Sequence, residues 1–227
     1  MKFIIIGLGN FGSSLALQLT NLGHEIIGVD FNMKKAEMLQ EKIMHTICMD
    51  TTDENAIDTL PITDADYVVI AIGEDTGASI LSTALIKQRN PKRIIGRAIN
   101  PLHQTVLQSM GIEEIVHPEE ETAERWANKF DVLGTVDSFN LDDKHKIVEI
   151  IVPKRHTGMS IKEADFRKRY NLNVITVIQE LTRKNLLGKV HKYKEVMGVL
   201  DPDYLLKEGD ILVVFGTILD IEKMTHL

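Results

Sequence analysis

A glycine-rich turn near the start of the chain most constrains its fold. An apolar strand-like run leads directly into Gly7-Leu8-Gly9-Asn10-Phe11-Gly12, and a second apolar run ends at Asp30. In a G-x-G-x-x-G turn the first glycine permits a tight strand-to-helix turn, the second lets the backbone approach a pyrophosphate, and the third lets the helix pack on the sheet. An acid at the end of the second strand is placed to accept hydrogen bonds from ribose hydroxyls. The pattern predicts a nucleotide site at the N-terminus of a helix over about 11–22.

Composition excludes several classes of protein. The 227 residues are 44% apolar and 26% charged, which is typical of a globular protein with one large or two smaller domains. A formal charge of −7 argues against nucleic acid as the main partner, because duplex binding relies on a basic surface. The single cysteine, Cys48, excludes a disulfide framework. No apolar run approaches the ~20 residues that span a bilayer, so we expect a cytoplasmic protein that reaches a membrane only through a partner.

The first 130 or so residues alternate predicted strands and helices. Apolar runs predict strands at 2–6, 25–30, 45–49, 67–72, 93–98 and 114–116. Such alternation favours right-handed crossovers and a parallel sheet. We therefore predict an α/β fold, with a Rossmann-like doubly wound parallel sheet in a domain of residues 1–130 that ends in a crossover helix at about 118–130.

Several predicted helices begin at recognisable caps. Asn32 is predicted to cap a helix that runs to about residue 42, and Thr51 with Glu54 has the spacing of a capping box. Asn100 precedes a proline and is predicted to cap the helix that follows.

Two further helices have apolar faces. In the helix predicted over 75–87, the apolar spacing predicts a buried side made of Ile80, Leu81, Ala84 and Leu85. The helix at 118–130 carries Trp126 and Phe130 one turn apart. We expect this aromatic pair to be buried, either in the core of its own domain or against a second subunit.

The rest of the chain follows a different pattern. The polar segment 131–145 is interpreted as a linker, and residues 146–227 as a small α+β domain that opens a helix on the capping box of Ser160 and Glu163. Its strands are predicted at 146–152, 173–179, about 196–200 and 211–216, with a short helix at 220–224.

The candidate binding residues lie where the predicted parallel strands end, because doubly wound sheets bind ligands beyond the carboxyl ends of their strands. They are Gly7, Leu8, Gly9, Asn10, Phe11, Gly12, Asp30, Phe31, Asp50, Thr51, Ile72, Gly73 and Arg97. For Asp50, a helix-capping role is an equal alternative. Arg97 is placed to face phosphates, and a surface ion pair is its alternative role.

Groups for catalysis are missing from the pattern. A dehydrogenase needs an acid or base that faces the nicotinamide, and the eight histidines are scattered without a recognisable acid partner. The sequence has no zinc-spaced cluster, no G-x-S-x-G elbow and no Walker lysine. We therefore predict sensing rather than an enzyme. The alternatives are a small NAD-dependent oxidoreductase that uses the C-terminal module as its substrate domain, and a scaffold with a vestigial pocket.

The N-terminal part resembles the KTN/RCK (TrkA/KtrA-like) domain, the regulatory unit of Trk- and Ktr-type potassium uptake systems and of some potassium channels. The residues that carry this resemblance are 6–12, 29–30, 50–54, 69–73, 111 and 116–119. The C-terminal half is similar to the companion RCK-C (TrkA-C) module, at 148–150, 158–161 and 206–216.

This resemblance implies a homo-oligomer, with dimers assembling into a ring under a membrane-embedded potassium-translocating subunit. Adenine nucleotides would change the shape of the ring and so gate the pore. By position, the three glycines would cradle phosphates, Asp30 would hold the ribose and Asp50 would lie near the adenine. Glu119 matches an acid that in some members helps hold a divalent cation between subunits.

Two parts of the chain bear on which ligands are expected. Similar Ktr-type members usually carry arginine where this chain has Asn10, which supplies no charge for a terminal phosphate. This contact is therefore not expected to discriminate ATP from ADP, and NAD(H) or ADP/AMP binding is favoured. Some relatives bind a cyclic dinucleotide in the C-terminal domain, where Ile161, Arg167 and Arg169 are the candidate contacts; a solvated helix end is the alternative for the arginines.

Overall fold

The computed structural model describes residues 1–131, 134–184 and 190–225. The chain divides into two compact units, Met1–Glu120 and Glu121–Leu227. None of the helices in the described ranges combines the length and the apolar character that crossing a bilayer requires. The domain boundaries predicted from the sequence stay predictions.

The first unit is built on a six-stranded parallel sheet. Its strands are β1 (Lys2–Ile6), β2 (Glu25–Asp30), β3 (His45–Cys48), β4 (Tyr67–Ile70), β5 (Ile94–Arg97) and β6 (Glu114–Val116). They are arranged in the order β3-β2-β1-β4-β5-β6, and every adjacent pair is parallel. The chain reverses its direction across the sheet between β1 and β4, which creates a switch point there. The predicted Rossmann-like doubly wound sheet is confirmed.

The central strands are buried on both faces because successive side chains point to opposite sides of a strand. Ile4 and Ile6 belong to one apolar cluster, whereas Phe3 and Ile5 belong to another. Both clusters are nearly inaccessible to water. The sheet is therefore sandwiched between two cores.

Six helices connect or follow these strands. They are α1 (Asn10–Asn21), α2 (Met33–Glu37), α3 (Glu54–Ile57), α4 (Thr76–Gln88), α5 (Pro101–Ser109) and α6 (Pro118–Asp131). The predicted cap at Asn100 is confirmed, since its side chain accepts a hydrogen bond from the His103 amide at 2.8 Å.

Two expectations about helix starts need correction. Asn32 caps α2 as predicted, but α2 ends at Glu37 rather than near residue 42. Thr51 does not cap α3. Asp53 is the cap, and the buried Thr51 hydroxyl instead shares a 2.7 Å hydrogen bond with the hydroxyl of Ser82 on α4.

The predicted buried face of α4 is only partly right. Leu81 is 56% exposed, whereas Ile80, Ala84 and Leu85 are half-buried and Leu85 packs against an apolar core cluster. The fully buried residues of α4 are Ser79, Ser82, Thr83 and Ile86. Small side chains let the helix approach its neighbours closely. Hydrogen bonds of the Ser82 and Thr83 hydroxyls, the latter to a backbone carbonyl, offset the cost of burying them.

The second unit contains an antiparallel sheet. Its strands are β7 (Thr135–Asn140), β8 (His145–Ile151), β9 (Asn173–Lys184), β10 (Val190–Val196) and β11 (Ile211–Thr217), in the order β10-β9-β11-β8-β7. Its helices are α7 (Ile161–Ala164), α8 (Phe166–Tyr170) and α9 (Ile218–Thr225), with a 3₁₀ turn at Lys154–His156. The capping box of Ser160 and Glu163 is confirmed. The predicted α+β fold class of the second part is confirmed.

Part of the predicted linker is instead a strand. Residues 132–133 lie outside the described residues, but Thr135–Asn140 is edge strand β7, paired with β8. Its polar side chains contact α6: Asp137 forms an ion pair with Arg125, and Asn140 donates to Glu124. These contacts explain why β7 lacks the apolar alternation that predicts a strand.

The strand predicted at about 196–200 lies earlier in the chain. The strand is β10, Val190–Val196, and its described side chains are exposed. An exposed edge strand needs no apolar face, so it leaves no period-2 signal in the sequence.

The aromatic pair on α6 does not lie in a core of its own unit. Trp126 is 50% exposed and Phe130 is 75% exposed, with ring centroids 5.5 Å apart. Burial against a second subunit stays a prediction.

His156 is a titratable group buried in the second unit. It is 1% exposed, its ring lies 5.0 Å from that of Phe166, and its Nε2 is 3.3 Å from the Tyr170 hydroxyl. Burial, together with the charges of Arg155 and Arg169, lowers the pKa of His156 to about 4.

This lowered pKa predicts a loss of stability in mild acid. Between pH 6.5, the ordinary pKa of histidine, and about pH 4, the unfolded chain binds a proton that the folded chain does not, so stability falls as the pH falls. Replacing His156 by Phe should remove about 3 kcal/mol of the decrease in unfolding free energy over this window. Urea denaturation followed by circular dichroism at stepped pH measures it. Equal pH slopes for the wild type and the variant would contradict the assignment.

Candidate functional site

A cleft of about 810 Å³ opens at the carboxyl ends of the parallel strands in the first unit, a size typical of small-molecule sites. It lies at the switch point between β1 and β4, where the chain reverses direction across the sheet. The residues predicted from the sequence that line it are Gly7, Gly9, Asn10, Asp30, Phe31, Asp50, Thr51, Ile72, Gly73, Arg97 and Glu119.

Three predicted residues do not line the cleft. The Leu8 side chain is buried in the core, Gly12 faces the carbonyl of Gly7, and the Phe11 ring lies 5.7 Å from the Arg97 guanidinium.

The three glycines of the turn differ in what a side chain at each position would contact. Gly7 has a φ of +95°, and a Cβ there would lie 2.9 Å from the amide nitrogen of Ile72. A Cβ on Gly12 would lie 1.9 Å from the carbonyl oxygen of Gly7. Gly9 differs, because a Cβ there would meet no atom within 4 Å. Gly7 and Gly12 therefore allow the backbone to pack, whereas the space beside Gly9 is open to a ligand.

The N-terminus of α1 is suited to an anion. Helices α2 to α5 each begin with a side chain that accepts a backbone hydrogen bond: Asn32, Asp53, Asp75 and Asn100. The N-cap of α1 is Gly9, which has no capping side chain, and the first turn of α1 contains no acid. The positive end of this helix dipole is therefore not compensated by the first turn itself.

Asp30 connects the glycine turn to β2. It is 6% exposed; its Oδ2 accepts a 2.7 Å hydrogen bond from the Leu8 amide, and its Oδ1 accepts one of 2.8 Å from the Asn32 amide. Each carboxylate oxygen has two acceptor sites, so Asp30 retains capacity for ribose hydroxyls. Its role in holding the turn gave no signal of its own in the sequence.

Arg97 lies in the cleft and also forms an ion pair, and its role toward phosphates stays a prediction. It lines the cleft, and its guanidinium forms an ion pair with Glu119 and donates to the carbonyl of Ala71 at 3.2 Å. Its Nε is buried without a hydrogen-bond partner. A Cβ on Gly73 would lie 2.3 Å from Nη1, so glycine at this position leaves room for the guanidinium.

Asp50 lies on the other side of the cleft. Its Oδ1 accepts hydrogen bonds from the Thr52 hydroxyl at 2.7 Å and from the Thr52 amide at 2.9 Å. These bonds, the hydroxyl first, lower the pKa of Asp50 below its usual value. The helix-capping alternative is wrong, because Asp53 caps α3.

Three charged residues that line the cleft were not predicted from the sequence: Lys35, Glu74 and Asp75. The Lys35 ammonium lies 3.4 Å from the Glu74 carboxylate. Only their positions in the sequence could have indicated Lys35 and Glu74. Lys35 follows Asp30 by five residues, and Glu74 comes directly after Gly73, beyond the end of β4.

The residues considered for other ligands are only partly brought together. Among the described residues, no group of three or more His, Cys, Asp or Glu side chains is arranged to hold a metal ion, and Glu119 is paired with Arg97. In the second unit, Ile161 and Arg167 line a groove of about 430 Å³, whereas Arg169 does not.

Together, the switch-point cleft, the uncapped helix and the buried acid define a Rossmann-like binding domain, followed in the chain by an antiparallel α+β module. The family model of the TrkA-N domain matches residues 3–118. The chain belongs to this family, and the resemblance found in the sequence is confirmed.

Relatives match almost the whole chain. It is 31% identical over 222 residues to the Ktr system potassium uptake protein C of Bacillus subtilis (strain 168), covering 98% of this chain and 95% of that protein. It is 28% identical over 225 residues to the Ktr system potassium uptake protein A of the same organism, covering 99% and 96%. The fold is similar to that of the GsuK channel bound to NAD, with a TM-score of 0.62 and 18% identity over 98% of this chain and 38% of that one.

The different surroundings of Gly9 and Gly12 predict different effects of the same substitution. Gly12→Ala should lower the free energy of unfolding by about 2 kcal/mol or more, because the new methyl group collides with the Gly7 carbonyl. Gly9→Ala should change it by less than about 1 kcal/mol. Urea denaturation of both variants measures the difference. Equal losses of stability would contradict the distinct roles of the two glycines.

Proposed function

We propose that this chain is a nucleotide-sensing regulatory subunit that gates a membrane-embedded potassium-translocating subunit. Two kinds of observation support this proposal. Two relatives that match nearly the whole chain are potassium uptake proteins. The cleft presents the uncapped N-terminus of α1 beside the open face of Gly9, and this observation carries the nucleotide part of the proposal.

The proposed ligand is an adenine nucleotide, NAD(H) or ADP/ATP. Its phosphates would lie over Gly9 at the start of α1, its ribose on Asp30, and its adenine between Phe31 and Asp50, which both line the cleft. Asn10 supplies no charge to a terminal phosphate, which favours NAD(H) or ADP. The likeness to a channel bound to NAD is consistent with this choice.

The ion pair of Arg97 connects the proposed nucleotide site to the start of helix α6. Its partner Glu119 lies in the first turn of α6, which begins at Pro118. A phosphate in the cleft would compete with Glu119 for the guanidinium, because both are anions that arginine binds. Ligand binding would then release or reorient the start of α6, and a ligand that binds the two arrangements unequally shifts their populations.

The proposed assembly is a homo-oligomer, with dimers forming a ring at the cytoplasmic face of the membrane and reaching it through the transport subunit. The exposed Trp126 and Phe130 of α6 suit burial against a second copy. A divalent cation at Glu119 would need ligands from a nucleotide or another copy. A cyclic dinucleotide would be taken by the groove of Ile161 and Arg167.

The proposal is one of binding rather than turnover. Among the described residues that line the cleft there is no histidine, tyrosine or cysteine, and the lysine there is paired with an acid. These features support a sensor over an oxidoreductase of the kind that uses a histidine, tyrosine or lysine to exchange a proton with the oxygen of the reacting carbonyl or alcohol.

Ligand binding is tested by thermal unfolding with NAD⁺, NADH, AMP, ADP and ATP. At least one nucleotide should stabilise the wild type, by about 2.7 kcal/mol at about 100 times its Kd. Gly9→Ala, which is expected to fold normally, should bind that nucleotide about tenfold more weakly, because its methyl group occupies the space where phosphates approach. A wild type that no nucleotide stabilises would contradict the proposal.

Assembly is tested by size exclusion with light scattering. The wild type should have a mass above that of a dimer. Replacing Trp126 and Phe130 together by Ala should reduce this mass, because the variant lacks the aromatic side chains that are proposed to pack against a second copy. Glu222→Gln is a matched control on α9. A wild type that is monomeric at all concentrations would contradict the ring.

A further inference from the structure

Both cations that line the cleft are already paired with acids. Arg97 is paired with Glu119, and Lys35 is paired with Glu74. Among the described lining residues the remaining charges are all negative: Asp30, Asp50 and Asp75. The cleft therefore presents an excess of negative charge to a ligand that carries phosphates, so the placement of each cation determines where a phosphate is tolerated.

Lys35 stands on the ribose side of the cleft. Asp30 accepts a hydrogen bond from Asn32, and Asn32 in turn caps α2, the helix that carries Lys35. Glu74 comes from the other side of the switch point, between β4 and α4. The ion pair of Lys35 and Glu74 therefore bridges the chain segments on the two sides of the cleft.

This bridge is weak enough to be changed without changing the fold. The Glu74 side chain is 82% exposed and lies 3.4 Å from the ammonium of Lys35, whose side chain is 29% exposed. Ion pairs of this kind contribute little to stability. Removing one member of the pair has a larger effect on a charged ligand beside it, because the net charge that the ligand meets then changes by one unit.

We propose that Lys35 and Glu74 determine the specificity of the cleft at the adenosine ribose, where Glu74 neutralises the one cation that would accept a 2′-phosphate. In Rossmann-like sites an acid binds the ribose 2′-hydroxyl, whereas a nearby cation accommodates a 2′-phosphate. This chain has both groups, Asp30 and Lys35, but Glu74 engages the lysine. The cleft therefore selects nucleotides with a free 2′-hydroxyl. This inference rests on the proposed binding of adenine nucleotides.

The test compares NAD⁺ with NADP⁺, which differ only in the 2′-phosphate, by calorimetric titration of the full chain. The wild type should prefer NAD⁺. Glu74→Gln should raise the affinity for NADP⁺ about fivefold and leave that for NAD⁺ within about twofold, because it frees the Lys35 charge. Combining it with Lys35→Gln should abolish the gain. Lys34→Gln, an exposed lysine of the same helix outside the cleft lining, is the matched control and should change neither affinity.

The outcomes separate this inference from the proposed function. A Glu74→Gln variant that keeps the wild-type ratio of NAD⁺ to NADP⁺ affinity would overturn the inference while nucleotide binding stands. A gain for NADP⁺ that persists in the double variant would also overturn it, since the gain would not depend on Lys35. A wild type that binds none of NAD⁺, NADP⁺, ADP, ATP and AMP would overturn the proposed function, and the inference with it.

Discussion

The first unit depends on a contact between backbones that only glycine allows. The end of β1 turns into α1 so tightly that a Cβ on Gly12 would lie 1.9 Å from the Gly7 carbonyl, and a Cβ on Gly7 would lie 2.9 Å from the Ile72 amide. This packing directs the start of α1 at the switch point between β1 and β4. Asp30 holds the same turn through the Leu8 amide, so one buried carboxylate both supports the cleft and lines it.

The sequence predicted the features that depend on local chemistry. The glycine turn, the acid after the second strand and the apolar runs require particular residue types at particular spacings, so the doubly wound sheet and most of the cleft lining could be read from them. The cap at Asn100 and the capping box at Ser160 are local in the same sense.

What the sequence did not predict depends on contacts between distant segments. Thr51 has the spacing of a cap, but its hydroxyl is used by Ser82 of α4, 31 residues away. Ser79, Ser82 and Thr83 of α4 are buried, which the apolar pattern of the helix does not predict. The polar strand β7 is held by its pairing with β8 and by α6. The pair of Lys35 and Glu74 comes from two segments that only the folded sheet brings together.

We propose that a nucleotide in the switch-point cleft changes the state of α6 through Arg97 and Glu119. Hydrogen–deuterium exchange of the full chain, with and without a saturating nucleotide shown to bind by calorimetry, measures this coupling. We expect slower exchange in the glycine turn at 7–13 together with changed exchange at the start of α6. Protection of the turn with unchanged exchange over 118–125 would contradict it.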